Sequence, residues 1–108
     1  TTMYKICVFI PENSTDTVKQ AMFDAGAGKI GNYDCCSWEI LGRGQFRPLQ
    51  GSNPHTGSLN TIETVAEYRV EMVCDDRFLR DVIRAMKASH PYEEPAYDVW
   101  KLENIQPD

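Results

Sequence analysis

The densest group of chemically capable side chains is the run His90-Pro91-Tyr92-Glu93-Glu94-Pro95. An imidazole beside two carboxylates can exchange protons near neutral pH or ligate a cation. The only other imidazole, His55, lies in the loop Asn53-Pro54-His55-Thr56-Gly57. A divalent metal is the cofactor that His90, Glu93 and His55 would hold, if that loop folds over the end of the helix preceding His90. The H-E-x-x-H spacing that sets two ligands on one helix face is absent. The plainer reading of His90 is a cation near a helix C-terminus, where the helix dipole favours positive charge.

A second pattern, Gly26-Ala27-Gly28-Lys29-Ile30-Gly31, matches G-x-G-x-x-G. A dinucleotide loop of this type must follow a strand and open a helix, so that the helix N-terminus meets the pyrophosphate. Here it follows a helical pattern and leads toward a strand, which reads as a helix C-cap and a turn. What survives is the ability of small residues to bring backbone amides close to an anion. Gly28, Gly31 and Asn32, with His90 and Glu93, are therefore the ligand-binding candidates.

Four cysteines, Cys7, Cys35, Cys36 and Cys74, contain no C-x-x-C, so no zinc framework is indicated. The adjacent pair Cys35-Cys36 suits redox chemistry or a soft metal. On a strand, however, the two side chains would point to opposite faces. Burial as small apolar residues is the simpler expectation. Neither Ser37 nor Ser52 sits in a G-x-S-x-G turn. No complete catalytic set is present, and binding or regulation is favoured over catalysis.

These residues need a scaffold, and hydrophobic periodicity supplies one. Residues 3–10 read as a central strand, with Tyr4, Ile6, Val8 and Ile10 on one face and Lys5, Cys7 and Phe9 on the other. Residues 14–26 read as a helix capped by Asn13 or Ser14 and ended by Gly26. Cys35–Leu41 and Gln45–Leu49 read as two short strands split by Gly42-Arg43-Gly44. Residues 62–74 alternate as a long strand, its Thr64–Cys74 set facing inward and its other face largely charged. Asp75 or Asp76 caps a second helix whose Phe78, Leu79, Val82, Ile83 and Met86 form an apolar stripe. His90-Pro91 stops it. Residues 96–103 make a last strand, and the tail from 104 to 108 is expected to fray.

The order predicts an α+β, ferredoxin-like βαββαβ sandwich over residues 1–108. It is one domain, an antiparallel sheet with two helices on one face and a Gly-rich insertion. At 108 residues it is long enough to bury a core unaided. Net charge is −5, and no Lys/Arg run offers a basic face, so nucleic acid is not an expected partner. The longest apolar run, Ile6 to Pro11, is far short of a membrane span. No signal-peptide pattern opens the chain, and Met3 reads as the natural start. With unpaired thiols this predicts a cytoplasmic protein. The sheet face carrying Lys5, Cys7 and Phe9 is too apolar to stand in water, which predicts a homo-oligomer, a trimer ahead of a dimer.

Three segments, GAGKIGNYDCCSW, GRGQFRPLQGSNPHTG and HPYEEPAYDVW, resemble the YqfO-type, Nif-three-like proteins. The likeness is to the accessory domain of their longer members, which is similar to the PII signalling proteins and CutA. That resemblance implies a ferredoxin-like fold that tends to form trimers and a lid or regulatory role. The metal ligands of the longer proteins lie in flanking lobes outside the matching segments, so their dinuclear site is not carried over. The expected function is a small oligomeric binding or regulatory module holding a metal ion or small anion at a subunit edge. The competing expectations are a docking or lid module for a protein partner, and an enzyme with an inter-subunit site around His90.

Overall fold

A computed structural model describes residues 1–105; the part of the expected frayed tail from 106 to 108 lies outside the described residues. Four strands form one antiparallel sheet in the order β2-β3-β1-β4: β1 (Met3–Pro11), β2 (Trp38–Phe46), β3 (Glu63–Asp75) and β4 (Tyr97–Lys101). Two helices, α1 (Thr15–Asp24) and α2 (Leu79–Ser89), pack on one face, each entered through a single 3-10 turn. This is the βαββαβ sandwich that the periodicity predicts.

The alternation of β1 has the expected consequence. Ile6, Val8 and Ile10 point toward the helices and are fully buried with Val70 and Met72 of β3 and Val18, Met22, Val82 and Met86 of the helices. Register fixes the assignment, because Ile6 lies opposite Met72 and Val8 opposite Val70. A one-residue slip would put each of these side chains on the open face. The inward set of β3 is buried only from Val70 on. Thr64 and Ala66 are exposed, because β2 and β3 run beyond the helices as a projecting ribbon. The molecule is accordingly long, 55 × 23 × 22 Å.

Two local expectations change and one holds. No side-chain cap forms at Ser14; instead the Thr15 hydroxyl donates to the Pro11 carbonyl at 3.1 Å, so the hydroxyl is spent holding the strand exit. At α2 the Asp75 carboxylate does accept from the Arg77 amide at 2.8 Å, as an N-cap should. The two short strands split at Gly42–Gly44 are one continuous strand. The glycines do not turn. A Cβ on Gly44 would overlap the Glu67 carboxylate, so Gly44 makes room for that side chain on the open face, while Gly42 lies directly opposite Glu67 in the register.

Helix α1 ends at the predicted Gly26, whose φ is +122°. Gly26 N–H bonds the Phe23 carbonyl and Ala27 N–H the Met22 carbonyl, the paired bonds of a Schellman cap. At the far edge of the fold, the Leu102 amide donates to the Met3 carbonyl at 2.9 Å. No helix of the described residues is long and apolar enough to cross a membrane.

Candidate functional site

The sequence candidates divide between the two ends of the sheet. Gly28 donates its amide to the Val73 carbonyl at 2.8 Å, and Val73 faces Lys5 near the start of β1. His90 bonds the carbonyl of Phe9 near the end of β1, and Phe9 faces Arg69. Four strand residues separate Val73 from Arg69, about 13 Å at the usual strand rise. Gly28, Gly31 and Asn32 thus form one group; His90, Glu93 and His55 form another.

In the first group the glycines shape backbone. Ile30 and Tyr33 exchange two hydrogen bonds, each 2.9 Å, so Gly31-Asn32 are the central pair of a two-residue hairpin turn. Of these two, only Gly31 has positive φ, +56°, the pattern of a type II′ turn. The Gly28 carbonyl accepts from the Cys36 amide at 2.8 Å, and the Gly28 amide is already given to Val73. That amide is therefore not turned toward a ligand.

In the second group α2 delivers His90 into the interior, 6 % exposed. Its Nε2 lies 2.8 Å from the Phe9 carbonyl, and its Nδ1 accepts from the Tyr92 amide at 3.1 Å. An acceptor at Nδ1 requires the proton at Nε2, so Nε2–H donates to Phe9 and the ring is neutral. Burial pushes the imidazole pKa down, and the Phe9 carbonyl opposes this only in part. The helix-terminal cation of the plain sequence reading is thus a buried neutral ring, with both nitrogens spoken for by backbone.

Beyond His90 the chain turns through Tyr92, whose ring is the hub of this end. It meets His90 at 5.1 Å between centroids, Phe46 at 5.9 Å and His55 at 6.2 Å, all tilted. The loop after β2 closes over it, and Glu93 Oε1 accepts from the Asn53 amide at 3.1 Å, which ties loop to hub. Between them lies a cleft of about 880 Å³, lined by aromatic Phe9, Phe46 and Tyr92 with His55, Glu67 and Glu93. His55 and Glu93 therefore line one cleft, while His90 stands behind it as a support.

The chemistry of the cleft centres on two groups to which the sequence gives little weight. The Tyr92 hydroxyl oxygen is buried and, among the described residues, has no hydrogen-bond partner. Burial raises the Tyr92 pKa, and the Glu67 charge raises it further. Burial also raises the Glu67 pKa. A buried hydroxyl left unpaired costs about 1–3 kcal/mol, which a bound polar group would return. The signal for Glu67 is present in the sequence as Gly44, whose missing side chain leaves space for it. Among the described residues no cluster of three or more His, Cys, Asp or Glu side chains is arranged to hold a metal ion.

Away from the cleft, the open sheet face carries Trp38, Ile40 and Trp100, 58 %, 53 % and 45 % exposed. A charged row runs between them, in which Glu71 contacts Lys5 at 3.7 Å and Arg69 at 3.2 Å.

No protein-family model matches the chain. A sheet of this order with two helices on one face is the fold of CutA. The CutA of Xylella fastidiosa superposes with a TM-score of 0.70 at 18 % identity, over 99 % of this chain and 89 % of its own, a likeness of fold alone. A Bacillus cereus protein related to NIF3 is nearer, with TM-score 0.82 and 42 % identity over 95 % of this chain and 26 % of that one. A GTP cyclohydrolase 1 type 2 homolog of Mycobacterium tuberculosis is 47 % identical over 98 residues, 91 % of this chain and 26 % of the relative. The chain is thus a homologue of the NIF3-related, GTP cyclohydrolase 1 type 2 homolog proteins, and it spans about a quarter of their length.

Proposed function

We propose that this domain is a self-associating binding module whose ligand occupies the Tyr92 cleft. The observation that carries the reading is the buried Tyr92 hydroxyl, unpartnered among the described residues, at the wall of a large cleft. A ligand that pairs with this hydroxyl recovers the cost of burying it. Glu67, Glu93 and Glu94 outnumber Arg47 along the lining, so the ligand is a small molecule or ion presenting positive charge or hydrogen-bond donors rather than an anion. A divalent metal belongs to this class. His55 and Glu93 supply two donors from one chain, and a second copy or the ligand itself would complete the set.

Self-association is the second half of the reading. An open face with two tryptophans and an isoleucine half in water gains by burial, and the Lys5–Glu71–Arg69 row would fix the register between copies. A trimer is favoured over a dimer. The four free cysteines suit a reducing, cytoplasmic setting. With a net charge of −5 nucleic acid is not a partner of this module. Catalysis is not part of the proposal, since a neutral His90 with both nitrogens bonded has no proton to trade with a substrate.

Native mass spectrometry of protein purified without added metal or chelator tests both halves at once. An oligomer that retains extra mass, and loses it in Tyr92→Phe or His55→Ala, supports the proposal. An oligomer without retained mass that gains none on titration with divalent cations and amines removes the cleft as a binding site. That result leaves the domain as a docking module for a protein partner.

A further inference from the structure

The adjacent cysteines lie at the sheet end opposite the cleft, and nothing in the proposed function uses them. The sequence expectation for them fails in two respects. Neither is buried: Cys35 is exposed and Cys36 half-buried, and both are free thiols. Nor are they on a strand, since β2 begins at Trp38. Cys35 has φ of +53°, a left-handed conformation uncommon for any residue but glycine. The strand rule that would send the two side chains to opposite faces therefore does not apply.

The thiols are also held. The Cys36 amide donates to the Gly28 carbonyl, and the Gly28 amide to Val73, so a two-step backbone ladder fastens the pair to β3. Cys36 Sγ lies 3.6 Å from the carbonyl oxygen of Asp34, whose carbon is bonded to the Cys35 nitrogen. The Cys36 thiol is thus folded back toward residue 35 rather than away from it. Consecutive Cα atoms are about 3.8 Å apart, and each sulfur turns on a single side-chain bond in or near solvent. Sulfurs on two adjacent residues, each able to rotate about its own side-chain bond, can close on one atom between them.

We propose that Cys35 and Cys36 form a chelating dithiol that captures a thiophilic centre between two sulfurs. The chemistry follows from the donor count. Among the described residues no set of three or more ligands exists, so a harder ion needing three or four protein donors is not served here. A soft, low-coordinate centre such as trivalent arsenic or a monovalent coinage metal needs two thiolates and little else. Capture of an arsenoxide is balanced without any redox partner. Two S–H bonds break, two S–As bonds form, the arsenic-bound oxygen leaves as one water, and arsenic stays trivalent. Selectivity is built in. Cys7 and Cys74 are buried, and burial holds both thiol pKa values up, that of Cys74 at about 11. They take no part.

Phenylarsine oxide is the probe. Added at one equivalent to the reduced full chain, it should raise the intact mass by one phenylarsine oxide less one water. It should protect Cys35 and Cys36 together from iodoacetamide. A dithiol should strip it far more readily than the same concentration of thiol groups from a monothiol. Cys35→Ser and Cys36→Ser should each weaken retention by at least about tenfold, because the second As–S bond forms at high effective concentration. An adduct kept in either single variant, or protection of only one of the two cysteines, would overturn the proposal. The protection pattern is read on the unmutated protein, so the test stands even if one variant folds poorly.

Discussion

The Nε2–H of His90 donates to the carbonyl of Phe9 across 2.8 Å, and this bond joins the end of α2 to a strand residue 81 positions earlier in the chain. It satisfies a carbonyl at the rim of the sheet and sets the ring against which Tyr92 packs. His90→Ala breaks two buried hydrogen bonds and is expected to cost about 2–3 kcal/mol. That lowers Tm by roughly 10 °C or more for a domain of this size. Thermal and denaturant unfolding followed by circular dichroism measure it; a loss under about 0.5 kcal/mol would mean that the ring supports nothing.

The same ring makes stability depend on pH. Its folded pKa lies below the unfolded value near 6.5, so the native state resists protonation. The contribution is complete above the unfolded pKa and is lost as pH falls through the folded one. Denaturant midpoints from pH 7.5 down to 5 should therefore fall more steeply for the wild type than for His90→Gln. The comparison is needed because Glu67, its pKa raised by burial, acts with the opposite sign. Parallel profiles would show that His90 is not the titrating group.

Tyr92→Phe separates fold from ligand. Without ligand it removes an unpaired buried hydroxyl and keeps the ring, so stability should be unchanged or higher by up to about 1 kcal/mol. With ligand it removes the anchor, and affinity should fall roughly tenfold. Unfolding curves and a binding titration on the same two proteins check the pair of signs. A variant that loses stability without ligand would mean that the hydroxyl has a partner of its own.

Glycine positions give a graded test. A Cβ on Gly28 would lie 2.8 Å from the Phe23 ring and 3.0 Å from the Cys36 carbonyl, at φ of +80°. Gly31, at φ of +56°, has nothing within 4 Å of the same atom. Gly31→Ala should cost only the left-handed conformation, about 1 kcal/mol, and Gly28→Ala distinctly more, about 2–4 kcal/mol. Chemical denaturation of both variants reads the difference; equal losses would mean that φ alone matters at Gly28.

On the open face, Trp38→Glu should weaken self-association by at least tenfold while leaving the fold intact, since a buried tryptophan anchor carries much of an interface. Sedimentation velocity across a dilution series measures it. An unchanged sedimentation coefficient would move the contact surface elsewhere.

The fold was readable because its main features are local. The alternation in β1 and β3 and the stripe of α2 are periodic in sequence, and burial follows the period. What was unreadable depends on partners distant in the chain. Gly42 and Gly44 resemble a break until Glu67, some twenty residues later, is seen filling the space above Gly44. His90 resembles a cation at a helix end until the Phe9 carbonyl appears. Cys35 and Cys36 resemble a buried strand pair because no local rule announces a left-handed cysteine. The sequence pairs His55 with Glu93, but the aromatic hub that brings them to one cleft is assembled from three separate stretches of chain.

The hydrogen bond from Leu102 to Met3 has a consequence for how such a unit can travel. It brings the start of β1 and the end of β4 side by side, so the fold begins and finishes at almost the same point in space. A domain whose two ends meet can be spliced into a surface turn of a larger protein, because the host need only open a gap a few ångströms wide. In the relatives the matching stretch makes up about a quarter of the chain. Its sheet face and cleft would come to the host ready-made, with no refolding asked of either.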